Sequence, residues 1–116
     1  MRPDRIFAFP SHYCPMPKLY EYLGLVIFFY SNEHEPIHVH ARHGAAESKA
    51  EFFIEEGQIT EIRLSAVGHK PPLPGRDLQN FKALLGVYAD EIVGKWVDYF
   101  VYHKQISPVT ITRKLS

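Results

Sequence analysis

The sequence predicts an α+β fold: an antiparallel sheet of about four strands against one long amphipathic C-terminal helix, with room for an extra C-terminal edge strand. Three observations predict it. Residues 25–64 contain apolar or alternating runs separated by short polar turns, which favours antiparallel neighbours. From about Asp77 the apolar period changes to that of a helix. Ser107 to Arg113 then alternates again, bounded by Pro108. The organisation reads as a proline-rich arm over residues 1–18, one domain over 19–104, and a strand or tail over 105–116.

Pro3, Pro10, Pro15 and Pro17 break regular structure in the arm. Leu25 to Tyr30 is a continuous β-favouring run, read as a central strand buried on both faces. Ser31 to Pro36 is a polar turn. Ile37 to His43 alternates, with Ile37, Val39 and Ala41 on one face and His38, His40 and Arg42 on the other. Gly44 and two alanines form a short connection. Lys49 to Glu55 alternates with Ala50, Phe52 and Ile54 inward. Glu56-Gly57 is a hairpin turn and Gln58 to Leu64 the return strand. Ile59 is out of phase with Ile62 and Leu64, which predicts a bulge or a late start.

Pro71, Pro72 and Pro74 mark a loop. Leu78, Phe81, Leu85, Tyr88, Ile92, Trp96 and Tyr99 follow helical spacing, with Asp77 as the N-cap. Gly86 and Gly94 lie inside this pattern and invite a kink or a break into two helices. His103-Lys104 would end the helix, where cations suit its dipole. The sheet face away from the helix is left to solvent, to the arm or to a second subunit.

The chain has 116 residues, 46% hydrophobic and 14% aromatic, ample for one packed core. Its 13 basic and 13 acidic residues cancel, so no long-range field draws it to nucleic acid or to anionic membrane. A neutral protein is also less protected against self-association. One cysteine, Cys14, forms no internal disulfide and has no basic neighbour to activate it. No apolar run approaches membrane-spanning length. A cytoplasmic protein without membrane contact is the expectation.

The strongest functional signal is the histidine cluster His34, His38, His40 and His43, within the run Asn32-Glu33-His34-Glu35-Pro36-Ile37-His38-Val39-His40-Ala41-Arg42-His43. Residues two apart on a strand share a face, so His38 and His40 project side by side with Arg42 next along. His34 sits in the turn and folds back toward the pair; the same turn brings Glu33 and Glu35. Converging neutral imidazoles completed by a carboxylate or water can hold a divalent metal, zinc or similar, with His34, His38 and His40 as candidate ligands. A metal-free alternative uses His38 or His40 as general acid or base, with Arg42 stabilising a phosphate or oxyanion. Asn32, Glu33 and His34 are candidate binding residues. The plain alternative makes the same residues the polar face of a sheet.

Glu47, Glu51 and Glu55 lie on the next strand, Glu51 and Glu55 on its outward face, and a cross-strand His–Glu pair would raise histidine pKa or complete a metal shell, although solvated carboxylates are the simpler expectation. His69-Lys70 reads as loop surface, and Trp96 and Tyr99 as core. No P-loop, dinucleotide fingerprint or serine-hydrolase elbow occurs.

The stretch from Leu19 through Gly44, with Tyr30-Ser31-Asn32-Glu33-His34-Glu35-Pro36-Ile37-His38-Val39-His40, resembles the opening of the bacterial family called domain of unknown function 4160. The Glu51–Glu55 hairpin with its Glu-Gly turn, and Leu78 to Trp96, are similar to its later parts. Asn32, His34, His38 and His40 match the motif; His43, the first fifteen residues and the tail from His103 fall outside it. The resemblance implies a small protein set in arrangements similar to toxin–antitoxin pairs, hence a protein partner or a role with RNA.

Two functions follow as expectations. The first is a binding module that works with a protein partner, in a toxin–antitoxin-like or regulatory pair, or as a homo-oligomer. The second is a histidine-based or metal-dependent ribonuclease or phosphodiesterase. A cupin-like site built on His38, His40 and Glu47 is weaker, because the spacing to Glu47 is long and a long helix suits a cupin barrel poorly.

Overall fold

A computed structural model describes residues 15–33 and 36–115. Residues 1–14, with Cys14 and most of the expected arm, lie outside the described residues, as do His34 and Glu35. The elements run β1 (Lys18–Tyr22), β2 (Leu25–Phe28), β3 (His38–His43), β4 (Ala46–Glu55), β5 (Gln58–Ala66), α1 (Gly75–Phe100) and β6 (Val109–Ile111). The sheet order is β5-β4-β3-β2-β1-β6.

The α+β class and the long helix agree with the sequence. The strand count does not: among the described residues there are six strands, and the sheet is mixed because β6 pairs parallel with β1. The unexpected strand is β1. Its residues Lys-Leu-Tyr-Glu-Tyr sit beside prolines that obscure the β signal, and its ladder is irregular between Lys18 and Tyr20. Pro15 and Pro17 continue the sheet rather than leaving it, because their carbonyls accept from the Ser31 and Phe29 amides. Proline lacks an N–H but keeps its acceptor.

Alternation divides the sheet into two faces. Leu25, Ile27, Phe29, Val39, Ala41, Ala50 and Phe52 form the core with Phe81, Leu84, Leu85, Ile92 and Trp96 of α1. Each large apolar side chain buried this way contributes about 1.5–3 kcal/mol. The Tyr20 hydroxyl donates to Glu91 and ties β1 to the helix; burial pushes that phenol up, and the Glu91 hydrogen bond adds to the shift.

Several local expectations need correction. The strand β4 begins at Ala46, ahead of the alternating run expected from Lys49, and includes Glu47 as expected. The helix begins at Gly75 with Pro74 as N-cap, and Asp77 lies in the first turn. Asp77 instead accepts from the His43 ring at 3.1 Å. The helix runs unbroken through Gly86 and Gly94, because packing of one face outweighs about 1 kcal/mol of propensity per glycine. It ends at Phe100, before His103-Lys104. The expected bulge is present: Ile54 pairs with Ile59 and Phe53 with Glu61, which leaves Thr60 over and returns Ile59 to the helix face. No helix among the described residues is long and apolar enough to cross a membrane.

Two glycines make opposite predictions. Gly24 closes the β1–β2 turn at φ +86°, and a Cβ there would stand 2.8 Å from the His43 ring. Gly24→Ala should lower stability by about 1–2 kcal/mol in urea unfolding. Gly94 is an exposed helix position with open space around a Cβ. Gly94→Ala should raise stability by about 0.5–1 kcal/mol in the same assay.

Candidate metal centre

The site lies on the sheet face opposite α1, at the start of β3. Register places Phe28 of β2 beside His40, and Glu51, Lys49 and Glu47 of β4 opposite His38, His40 and Arg42. All these side chains therefore share one face. The His38 and His40 rings lie 5.0 Å apart, nearly perpendicular. Neither is the solvated ring that alternation suggested, since His38 is 6% and His40 1% exposed.

Burial requires each ring nitrogen to have a partner. His38 Nδ1 lies 2.6 Å from the Pro36 carbonyl. A carbonyl only accepts, so Nδ1 carries the proton. His40 Nδ1 donates to Glu47 at 3.0 Å. Both Nε2 atoms then turn toward one oxygen: Glu33 Oε1 stands 3.2 Å from His38 Nε2 and 3.1 Å from His40 Nε2. Ligand atoms of Glu33, His38 and His40 all lie within 4.8 Å of one another.

With Nδ1 protonated, a neutral ring presents a lone pair at Nε2, and the carboxylate presents another. The cluster therefore calls for a cation at its centre, a proton or a metal. The proton is disfavoured at His40: burial pushes its pKa down and the neighbouring His38 adds to this, more than Glu33 and Glu47 restore. At Glu33 burial alone would raise the carboxyl, but hydrogen bonds and charge from the two rings, where these are protonated toward it, outweigh burial and hold it below its ordinary range. Ions such as zinc bind at about 2.0–2.1 Å, where the two separations of Glu33 Oε1 from the ring nitrogens, 3.2 and 3.1 Å, would each subtend about 100°, between octahedral and tetrahedral angles. The donor set thus fits a divalent metal.

Glu47 is the support. It is 1% exposed, yet it accepts from His40, from the Tyr30 hydroxyl at 3.1 and 3.2 Å, and from Lys70 Nζ at 2.8 Å. That salt bridge keeps the Lys70 ammonium above its ordinary range. Burial raises the Tyr30 phenol, and Glu47 adds to this against Lys70. The loop carrying Lys70 is held by the Pro71 carbonyl, which accepts from the Glu47 amide, and by Ser48, which accepts from the Leu73 amide.

The expected site residues divide accordingly. His38 and His40 are brought together, and Glu33 joins them as a candidate ligand rather than only a binding residue. Candidate ligand His34 lies outside the described residues, and Asn32 is exposed in the turn. Arg42 shares the face but is exposed, its guanidinium 5.3 Å from the Phe28 ring centroid. His43 does not belong to the cluster: alternation sends it to the helix side, where it meets Asp77. Sequence reasoning missed Tyr30 and Lys70, and took carboxylates of β4 for solvated charges. Glu47 was expected on this strand without a face, and the parity it shares with Glu51 puts it on the histidine face; nothing local marks Lys70.

Lys70→Met leaves the buried Glu47 carboxylate without its ammonium partner. It should lower stability by about 1–3 kcal/mol in chemical denaturation. The result that would refute the support role is an unchanged unfolding midpoint.

No curated protein and no solved structure matches the chain. One family model does, described as a domain of unknown function, DUF4160, and it covers residues 24–97. That span takes in β2 through most of α1 and every described residue of the candidate cluster and its support. With well over half its length matched, the chain belongs to the DUF4160 family.

Proposed function

We propose that this chain is a divalent-metal protein in which Glu33, His38 and His40 hold a zinc-class ion, and that the centre serves hydrolysis of phosphodiesters, RNA among them. One observation carries the reading: two imidazole Nε2 atoms, each with its other nitrogen engaged, face the same carboxylate oxygen. Two histidines and a glutamate are a zinc donor set, and three protein ligands with an open position characterise catalytic rather than structural sites. Glu33 is about half exposed, so the cluster can be approached from solvent. When bound, the ion supplies Lewis acidity toward a phosphoryl oxygen.

The chain's own residues supply the rest. Glu47 orients His40 as a positioning residue, in the carboxylate–histidine pattern that supports metal ligands. Arg42 and Lys49, on the same face and in no ion pair among the described residues, offer positive charge to an anionic substrate. A protein partner acting through the Asn32–His40 surface is the competing proposal, and metal stoichiometry separates the two.

Tag-free protein equilibrated with zinc should retain one ion per chain by elemental analysis. The His38→Ala/His40→Ala variant should retain none. Zinc at about a hundred times its Kd should stabilise the wild type by about 2.7 kcal/mol in thermal melts. Glu47→Gln should weaken zinc binding by about 10–100-fold in calorimetry. Wild-type protein that takes up no zinc would defeat the metal reading. Zinc-loaded protein that leaves both a model phosphodiester and single-stranded RNA intact would defeat the hydrolytic one.

A further inference from the structure

At the end of the sheet where α1 begins, three segments remote in sequence line one open cavity of about 460 Å³: Leu23 of the β1–β2 turn, Arg76 and Asn80 of α1, and Thr112 and Lys114 after β6. That volume lies within the range of small-molecule sites. Its walls are anchored. The turn joins two paired strands, and the buried Tyr22 hydroxyl accepts from the Leu115 amide at 2.8 Å, which holds the tail that carries Lys114. Gly24 of the same turn stands against His43, at the far end of β3 from His38, so this cavity is separate from the metal cluster.

Two features of the cavity serve the fold poorly. The first is charge. Arg76 and Lys114 line it together, and among the described residues neither side chain takes part in an ion pair, hydrogen bond or ring contact. The carboxylate next to Arg76 in sequence, Asp77, accepts from His43 instead. Two cations on one cavity repel, and an anion between them removes that repulsion. The second is backbone conformation. Leu23 stands at φ +51° and Gly24 at φ +86°, in a two-residue hairpin turn whose first position favours Asn, Asp or Gly. A leucine in that conformation is strained. Its side chain is 53% exposed, so burial does little to offset the strain.

We infer that this cavity binds a phosphomonoester, with the phosphoryl group between Arg76 and Lys114 and the organic body against Leu23. A phosphomonoester carries close to two negative charges at neutral pH, which matches the two cations. A carboxylate or a sulfate ester carries one. The guanidinium presents paired donors to phosphoryl oxygens, and the ammonium adds a point charge. Asn80 and Thr112 offer neutral donors beside them. Leu23 supplies an apolar contact that bare phosphate does not use. The inference is independent of the metal centre.

Titration calorimetry near neutral pH tests it, with phenyl phosphate, phenyl sulfate and inorganic phosphate as probes. Wild-type protein should bind one phenyl phosphate per chain, and phenyl sulfate at least about tenfold more weakly. Arg76→Met and Lys114→Met should each weaken phenyl phosphate at least about tenfold. Leu23→Asn, which suits the turn, should weaken phenyl phosphate at least about threefold and leave inorganic phosphate within about twofold. All three residues are exposed, and circular dichroism checks that each variant is folded. Cosedimentation with phosphatidylcholine vesicles, with and without phosphatidic acid, separates two sources of the same group. Retention that needs phosphatidic acid and both cations assigns it to a lipid headgroup; binding of phenyl phosphate without retention assigns it to a free ester. Wild-type protein that binds neither phenyl phosphate nor phosphatidic acid overturns the inference. So does binding that survives both cation changes, which places the anion elsewhere, or phenyl sulfate bound as tightly as phenyl phosphate, which rejects the dianion. Equal loss of both phosphates in Leu23→Asn rejects the apolar contact.

Discussion

A buried carboxylate must be met by donors, and Glu47 organises much of this molecule around that demand. Its three side-chain donors come from three places: Tyr30 after β2, His40 on β3, and Lys70 on the loop before α1. Meeting one charge therefore draws together segments far apart in sequence. It also fixes the His40 ring, because the nitrogen that donates to Glu47 cannot be the one that faces Glu33. The chemistry of the surface depends on that choice of tautomer.

The second constraint is the two-residue period of β3. Val39 and Ala41 go to the core beneath α1, while His38, His40 and Arg42 go to the other face. One short strand thus anchors the apolar interior and carries the polar cluster. Rigidity on one side serves geometry on the other, since the histidine backbones cannot shift without disturbing the packed layer. His43 illustrates the same rule. It is a histidine of the same segment, yet its parity sends it to Asp77 and out of the cluster.

Much of this was legible in the sequence. The pattern of Ile37 to His43, the Glu56-Gly57 turn, the phase slip at Ile59 and the helical stripe from Leu78 to Tyr99 are local signals, and periodicity reports local backbone geometry directly. They determined the class of fold and the shared face of His38 and His40, while the motif from Tyr30 to His40 carried the resemblance to the family. What they could not carry was the pairing of remote segments. β1 hides beside prolines whose carbonyls extend the sheet, β6 joins it in parallel after the whole helix, and Lys70 reaches Glu47 through a loop with no motif. Burial was likewise decided by tertiary structure. Alternation states which side of a strand a residue takes, but only the assembled neighbours determine whether that side is wet. For His40 and Glu47 those neighbours come from other strands and a loop, so their role became visible only in the folded chain.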